Sequence, residues 1–185
     1  PVKGSIDGEI RKKLLTWWNC YSFFVTYARV DGWTPGVHDP IPVSKRHELD
    51  RWVLSRLQDL IGSAHKAFGD FTVYRFVDRF EHFCDVFSNW YLRRSRRRFW
   101  RAESDLDKES AYQTMYEVLT TLTRLMAPIL PFLTEEMYEN LVRSVQPDAP
   151  PTVHLQDFPV VDPSRVDQAL ETQIDCVIRT KNLGL

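Results

Sequence analysis

Between Phe71 and Arg101 the apolar residues Val73, Val77, Phe80, Cys84, Phe87 and Tyr91 recur at alternating steps of four and three. That is the spacing of one helical face, and Phe76, Phe83 and Trp90 widen it to the arc that a bundle helix buries. Asp78, Glu81, His82, Asp85 and Asn89 take the other side. The phase that carries the aromatics next delivers Arg94 and Arg98, with Arg97 and Arg101 beside them, so a core stripe runs on as a basic stripe. Residues 92–101 hold six arginines and no carboxylate. Their mutual repulsion calls for an anionic partner, and two are open. One is internal: Glu103, Asp105, Asp107 and Glu109 follow at once, although surface pairs of this kind are individually weak. The other is a nucleic acid backbone, because guanidinium forks match phosphate oxygens and the interleaved Phe99 and Trp100 offer flat faces for bases.

The rest of the chain supplies the bundle that such a helix needs. Its 185 residues are 43% hydrophobic and 13% aromatic, enough for one domain with a substantial core of large rings. Ile10, Leu14, Trp17, Tyr21, Phe24 and Ala28 predict a first helix from about Asp7 to Val30. Gly32, Pro35, Gly36, Pro40 and Pro42 make 31–43 a surface loop, in which Trp33 is expected to plug a bundle end rather than bind a ligand. Trp52, Val53, Leu57, Leu60, Ile61, Ala64 and Phe68 predict a second helix from Glu48 to Phe68. Phe71–Arg101 is the third and is expected to be central. Ser104 or Asp105 can cap a fourth, buried through Tyr112, Met115, Tyr116, Leu119, Leu122 and Met126. Pro128 and Pro131 stop it, and Phe132 to Val145 forms a fifth. Residues 146–161 are a proline-rich connector in which Val153-His154-Leu155 is expected to be extended. Asp162-Pro163 is a helix-start signal for a sixth helix, 162–185, buried through Val166, Leu170, Ile174, Val177 and Ile178 and expected to be cut short. The fold class is therefore all-α, a bundle of five to six helices in a single domain, 1–185.

Cys20, Cys84 and Cys176 are odd in number and lack metal-ligand spacing, so a reduced chain with buried thiols and no metal site is expected. There is neither a signal-peptide pattern nor an apolar run of membrane-spanning length, which predicts a soluble, cytoplasmic, monomeric protein with no membrane partner. The opening at Pro1 and a helical pattern still running at Leu185 suggest a piece of something longer. No nucleophile with its base, no paired carboxylates and no glycine-rich phosphate loop occur, so catalysis and nucleotide binding within the chain are not expected. Lys12 and Lys13 stand one turn before Trp17 and Trp18, a second and weaker combination of cations and rings.

The segments WNCYSFFVTYA (Trp18–Ala28), ELDRWVLSRLQDL (Glu48–Leu60), SNWYLRRSRRRFW (Ser88–Trp100), AYQTMYEVL (Ala111–Leu119), LMAPILPFLTEEMYENL (Leu125–Leu141) and TVHLQDFP (Thr152–Pro159) resemble, in order, the anticodon-binding domain of isoleucyl-tRNA synthetases. The resemblance implies the helical anticodon-binding fold of class Ia synthetases, binding the anticodon stem-loop of isoleucine tRNA beside the remaining domains of a parent. It implies a parent that ligates isoleucine to tRNA with ATP and magnesium, carries zinc in some members, and hydrolyses mischarged valine. Neither HIGH nor KMSKS occurs here, so catalytic, ATP, editing and zinc residues have no positions to be carried onto. Asp85-Val86-Phe87-Ser88 departs conservatively from the family pattern before SNWY.

Within that frame Arg93, Arg96, Arg97 and Arg101 are expected to face RNA, with Trp100, Lys12, Lys13 and Trp18 as further tRNA-binding residues. Arg94 and Arg98 are expected to be structural, bracing neighbouring helices through internal carboxylates. Trp100 can stack on a base or close the bundle end, and closure is the preferred expectation. The competing function is a helical protein-interaction domain whose arginine stripe docks an acidic partner.

Overall fold

The computed structural model describes residues 11–102 and 104–184. Helix α1 (Arg11–Asp31) leads through a 3₁₀ turn at Val43–Lys45 to α2 (Glu48–Gly69). Helix α3 (Val73–Val86) continues through a π-helical stretch, Phe87–Leu92, into α4 (Arg93–Trp100). Then come α5 (Asp105–Met126), α6 (Pro131–Tyr138) with a second π-helical stretch at Glu139–Arg143, and α7 (Gln168–Leu183). No strand occurs among the described residues, and the all-α bundle is the architecture found. The first turn expected from Asp7 to Ile10 lies outside the described residues.

The hub is α2, not the 71–101 rod. Helix α2 packs against α3, α5 and α7, and it buries residues around most of its circumference, from Trp52 and Leu54 to Ser55, Gln58 and Ala64. A helix touched on several sides cannot be read from a single stripe. The 71–101 rod lies against α1 and α2 and, through its α4 end, against α5. The large rings Trp17, Trp52, Phe76, Phe87, Tyr91, Phe99 and Tyr112 are fully buried, each contributing about 1.5–3 kcal/mol or more of apolar burial. Trp33 does plug a bundle end: it stacks on Tyr112 at 5.3 Å, meets Phe24 edge-on at 5.7 Å, and donates from Nε1 to the Glu109 carboxylate.

Two expectations near the C-terminal third are corrected. Val153-His154-Leu155 is a 3₁₀ turn rather than an extended segment. Prolines leave this connector short of amide donors, so side chains anchor it. Thr152 Oγ1 and the Val153 amide both donate to Glu135, while Tyr138 donates to the Pro150 carbonyl at 2.7 Å. Asp162-Pro163 starts only a 3₁₀ turn, Pro163–Arg165, because Asp162 bonds the Ser164 amide and Arg165 locally and the chain then extends at Val166. The start of α7 is set by Asp167, which accepts from the Leu170 amide at 3.0 Å while its own amide donates to Ser55 of α2 at 2.8 Å. The helix consequently docks through Leu170 and the buried Glu171, with Ile174 and Ile178 half-buried, whereas Val166 and Val177 are exposed.

Asp167→Ala should remove the cap and cost about 1 kcal/mol, with faster amide exchange across the first turns of α7. Asp162→Ala should leave α7 exchange unchanged. Hydrogen exchange resolved along 168–183 separates the two.

Candidate nucleic-acid interface

Helix α4 spans only Arg93–Trp100, and its rotation is fixed by one buried carboxylate. Asp50, on the first turn of α2, is 0% exposed. Arg98 grips it with both terminal nitrogens, Nη1 to Oδ1 and Nη2 to Oδ2, each at 2.7 Å. Tyr91 from the π-helical stretch and Ser110 from α5 donate to the same two oxygens at 2.7 Å. Arg98 also donates from Nε to Asp107 Oδ1 at 2.8 Å and from Nη2 to the Asp107 carbonyl at 3.1 Å. Four elements therefore meet at Asp50. Burial alone would raise its carboxyl, but the hydrogen bonds and charge of Arg98, with Ser110 and Tyr91, outweigh it and hold the group below the ordinary 3.8. Burial likewise drives the Tyr91 hydroxyl well above its ordinary range.

The π-helical stretch decides which arginines turn outward. A π turn takes more residues than an α turn, so the buried face runs from Phe87 to Tyr91 and Leu92 and then to Ser95, Arg98 and Phe99, with Ser95 in the place expected for Arg94. Arg98 is inward as expected. Arg94 is not: it is exposed, and its guanidinium lies 3.8 Å over the Trp90 ring instead of on an internal carboxylate. The expected steps of four and three would have needed an unbroken α-helix. Trp100 is also corrected, being 55% exposed and at the edge of Tyr27, 5.7 Å between centroids, rather than closing the bundle. The end is closed instead by Phe99, which meets Phe23 at 5.2 Å and Tyr112 at 4.9 Å, both edge-on.

At about 100° per residue, Arg96, Trp100, Arg93, Arg97, Arg101 and Arg94 follow one another around the exposed side of α4 at steps of about 40° or less. On one flank Arg96 lies 5.7 Å over Phe23 of α1, and on the other Lys181 of α7 joins Arg94 over Trp90 at 5.5 Å. Among the described residues none of these five arginines is in an ion pair. Two carboxylates of the acidic run after them are engaged elsewhere: Asp107 holds Arg98, and Glu109 accepts from Trp33 and Gln113. Glu103 lies outside the described residues. The arc thus presents cations and a flat ring together, which suits phosphate oxygens and unstacked bases.

Trp18, also expected to bind tRNA, is not brought to this arc. Trp18 is 37% exposed and packs near Tyr21, about 140° around α1 from Phe23. The side chains of Lys12 and Lys13 lie outside the described residues. Sequence reading missed Arg94 as an outward group, and it missed Lys181, whose approach to Trp90 spans helices far apart in the chain. The thiols of Cys20 and Cys84 are buried, with burial pushing Cys20 up to about 11, whereas Cys176 is exposed, contrary to expectation. Among the described residues no group of three His, Cys, Asp or Glu side chains could hold a metal ion.

Residues 50–183 match the family described as the anticodon-binding domain of tRNA ligase. The chain is similar to the isoleucine–tRNA ligase of Dehalococcoides mccartyi, 46% identical over 181 residues that cover 96% of this chain and 17% of the relative. It is similarly related to that of Thermus thermophilus, 46% identical over 178 residues, 95% of this chain and 17% of the relative. For the ligase of Streptomyces coelicolor the figures are 42% over 181 residues, 98% and 17%. The chain therefore spans 17% of the length of these curated relatives.

Arg98→Ala strands a charged, buried Asp50 and should cost about 3–5 kcal/mol, whereas Arg94→Ala at an exposed site should stay within about 0.5 kcal/mol. Denaturant melts of the two variants check the assignment. Because the folded Asp50 carboxyl lies below 3.8, its contribution is complete above that value and is lost as pH falls through the lower folded one. Stability followed from about pH 6 to pH 2 should fall less steeply below 3.8 in Asp50→Asn than in the unmodified chain.

Proposed function

We propose, since the chain belongs to the family of anticodon-binding domains of tRNA ligases, that its arginine arc binds the anticodon stem-loop of an isoleucine tRNA. The observation that carries this is the outward arc of five arginines around Trp100, held at a fixed rotation by Arg98 on Asp50. Arg93, Arg96, Arg97 and Arg101 supply phosphate contacts that set affinity and register. Arg94, resting on Trp90, adds a fifth. Trp100, backed by Tyr27, offers its exposed face to an unstacked loop base. Isoleucine tRNA is chosen over other tRNAs because the similar proteins are named isoleucine–tRNA ligases.

The same reasoning extends to a parent that joins isoleucine to tRNA with ATP, acting as a monomer in the cytoplasm. ATP, magnesium and any zinc are assigned to the rest of that parent, together with editing of mischarged valine, since the motifs for these do not occur here. No helix among the described residues is long and apolar enough to cross a membrane. Of the internal carboxylates that an acidic-partner alternative could use, Asp107 and Glu109 are already engaged away from the arc.

Titration of the full-length parent with isoleucine tRNA over a salt series tests the assignment. Arg93→Ala and Arg97→Ala should each flatten the logarithmic salt slope by about one contact and leave the melting midpoint unchanged. Trp100→Ala should weaken binding by about 1–3 kcal/mol if a base stacks there. Unchanged tRNA affinity in all three variants would remove the arc as the binding surface.

A further inference from the structure

A second cationic surface lies on the opposite end of the 71–101 rod. Between α2 and α3 a cavity of about 420 Å³ is lined by Asp59, Ser63, Lys66, Thr72, Arg75 and Arg79 among others. Lys66, Arg75 and Arg79 are exposed, and among the described residues none of the three is in an ion pair. Asp59 is the one carboxylate lining it. Next in the chain to the lining residues Thr72 and Arg75, Phe71 is 92% exposed and Tyr74 63% exposed. Phe71 also has a φ of 56°, a left-handed backbone that a bulky side chain rarely adopts. That conformation closes the end of α2, where the Thr72 amide donates to the Ala67 carbonyl at 2.8 Å, and it leaves the Phe71 ring uncovered.

The groove does not stop there. A narrower cleft of about 130 Å³ shares Asp59 and Arg79 with it and runs past Arg56 and His82 to Val86. Arg56 is itself paired, to Glu171 and Asp175 of α7, so the free cations of this track are those on α3 and Lys66. Arg75, Arg79, His82 and Val86 stand at steps of four and three along one edge of α3, which ends at the π-helical stretch. Within that stretch, four residues beyond Val86, the Trp90 ring lies under Arg94 and Lys181 at the flank of the arginine arc. From Arg79 to Arg97 the rod advances about 27 Å, short of one turn of duplex.

We propose, resting on the tRNA-binding reading above, that the groove at Lys66, Arg75 and Arg79 is a second phosphate-binding surface for the same RNA. It takes the backbone of the duplex stem that leads away from the loop held at the arc, with Phe71 and Tyr74 against the sugar edge. Continuity with the arc and the sign of the charge select a nucleic acid over an apolar partner. The three cations act as point and fork donors to phosphate oxygens and carry no sequence preference.

The test uses the full-length parent carrying Lys66→Ala, Arg75→Ala and Arg79→Ala together. It is titrated with an isoleucine tRNA transcript across a salt series, beside the unmodified protein and an Arg93→Ala, Arg97→Ala variant. The groove variant should lose roughly tenfold in affinity and about two to three contacts of salt slope, with its melting midpoint unchanged. Arg75→Lys with Arg79→Lys should keep most of the affinity, because charge rather than shape is what the groove supplies. Unchanged affinity and slope in the groove variant, while the arc variant weakens binding, overturns the groove and leaves the arc standing. No change in either variant removes both. Poly-glutamate that competes with tRNA on the unmodified protein but not on the groove variant assigns the groove to an acidic protein and also overturns it.

Discussion

Everything displayed on α4 depends on a carboxylate that cannot be seen from outside. Asp50 is desolvated, and the charge of Arg98 with the hydroxyls of Tyr91 and Ser110 replaces its hydration shell, four donors on two oxygens. A pair of this kind adds little net stability over a well-packed apolar contact, because desolvation consumes most of the Coulomb attraction. What it adds is geometry. A forked guanidinium on a carboxylate fixes distance and plane together, so the one inward arginine determines the rotation of the eight residues that carry four of the five outward ones.

Helix periodicity was legible along most of the chain, and so was the plug made by Trp33, since a tryptophan among prolines at a loop has few other places to go. The inward role of Arg98 could be read from phase alone. Its partner could not. Asp50 sits in the first turn of α2, where an acidic residue is already accounted for by the helix dipole, and nothing local marks it as buried. Arg94 departs from its expected phase because the turn between Phe87 and Leu92 is wider than an α turn and leaves no trace in the pattern of apolar residues, whereas closure by Trp100 rested only on the general burial of tryptophan. The start of α7 was misplaced because two aspartates, Asp162 and Asp167, both carry cap chemistry, and only the contact of the Asp167 amide with Ser55 decides between them.

Behind the arc lies a continuous set of rings. Phe23 and Tyr27 of α1 hold Phe99, Phe99 meets Tyr112 of α5, and Tyr112 carries Trp33. The two edge-on pairs, Phe23 with Phe99 and Phe99 with Tyr112, resist sliding, because the ring edge and the ring face differ in charge. The basic surface is thereby backed by rigid material rather than by a loop, and repulsion among the arginines is borne by packed side chains. Trp100 belongs to both worlds, with one edge on Tyr27 and the rest in solvent.

The wide turn at Phe87–Leu92 has a meaning beyond this one surface. It joins two helical segments whose phases are set independently, α3 by its own stripe against α1 and α2, and α4 by Asp50. A one-residue insertion or deletion at such a junction rotates everything downstream by about 100° while the upstream packing stays where it was. Related chains could in this way retune which cations look outward without rebuilding a core, so that a change in length at one joint, rather than a series of substitutions, becomes the step by which the basic surface diverges.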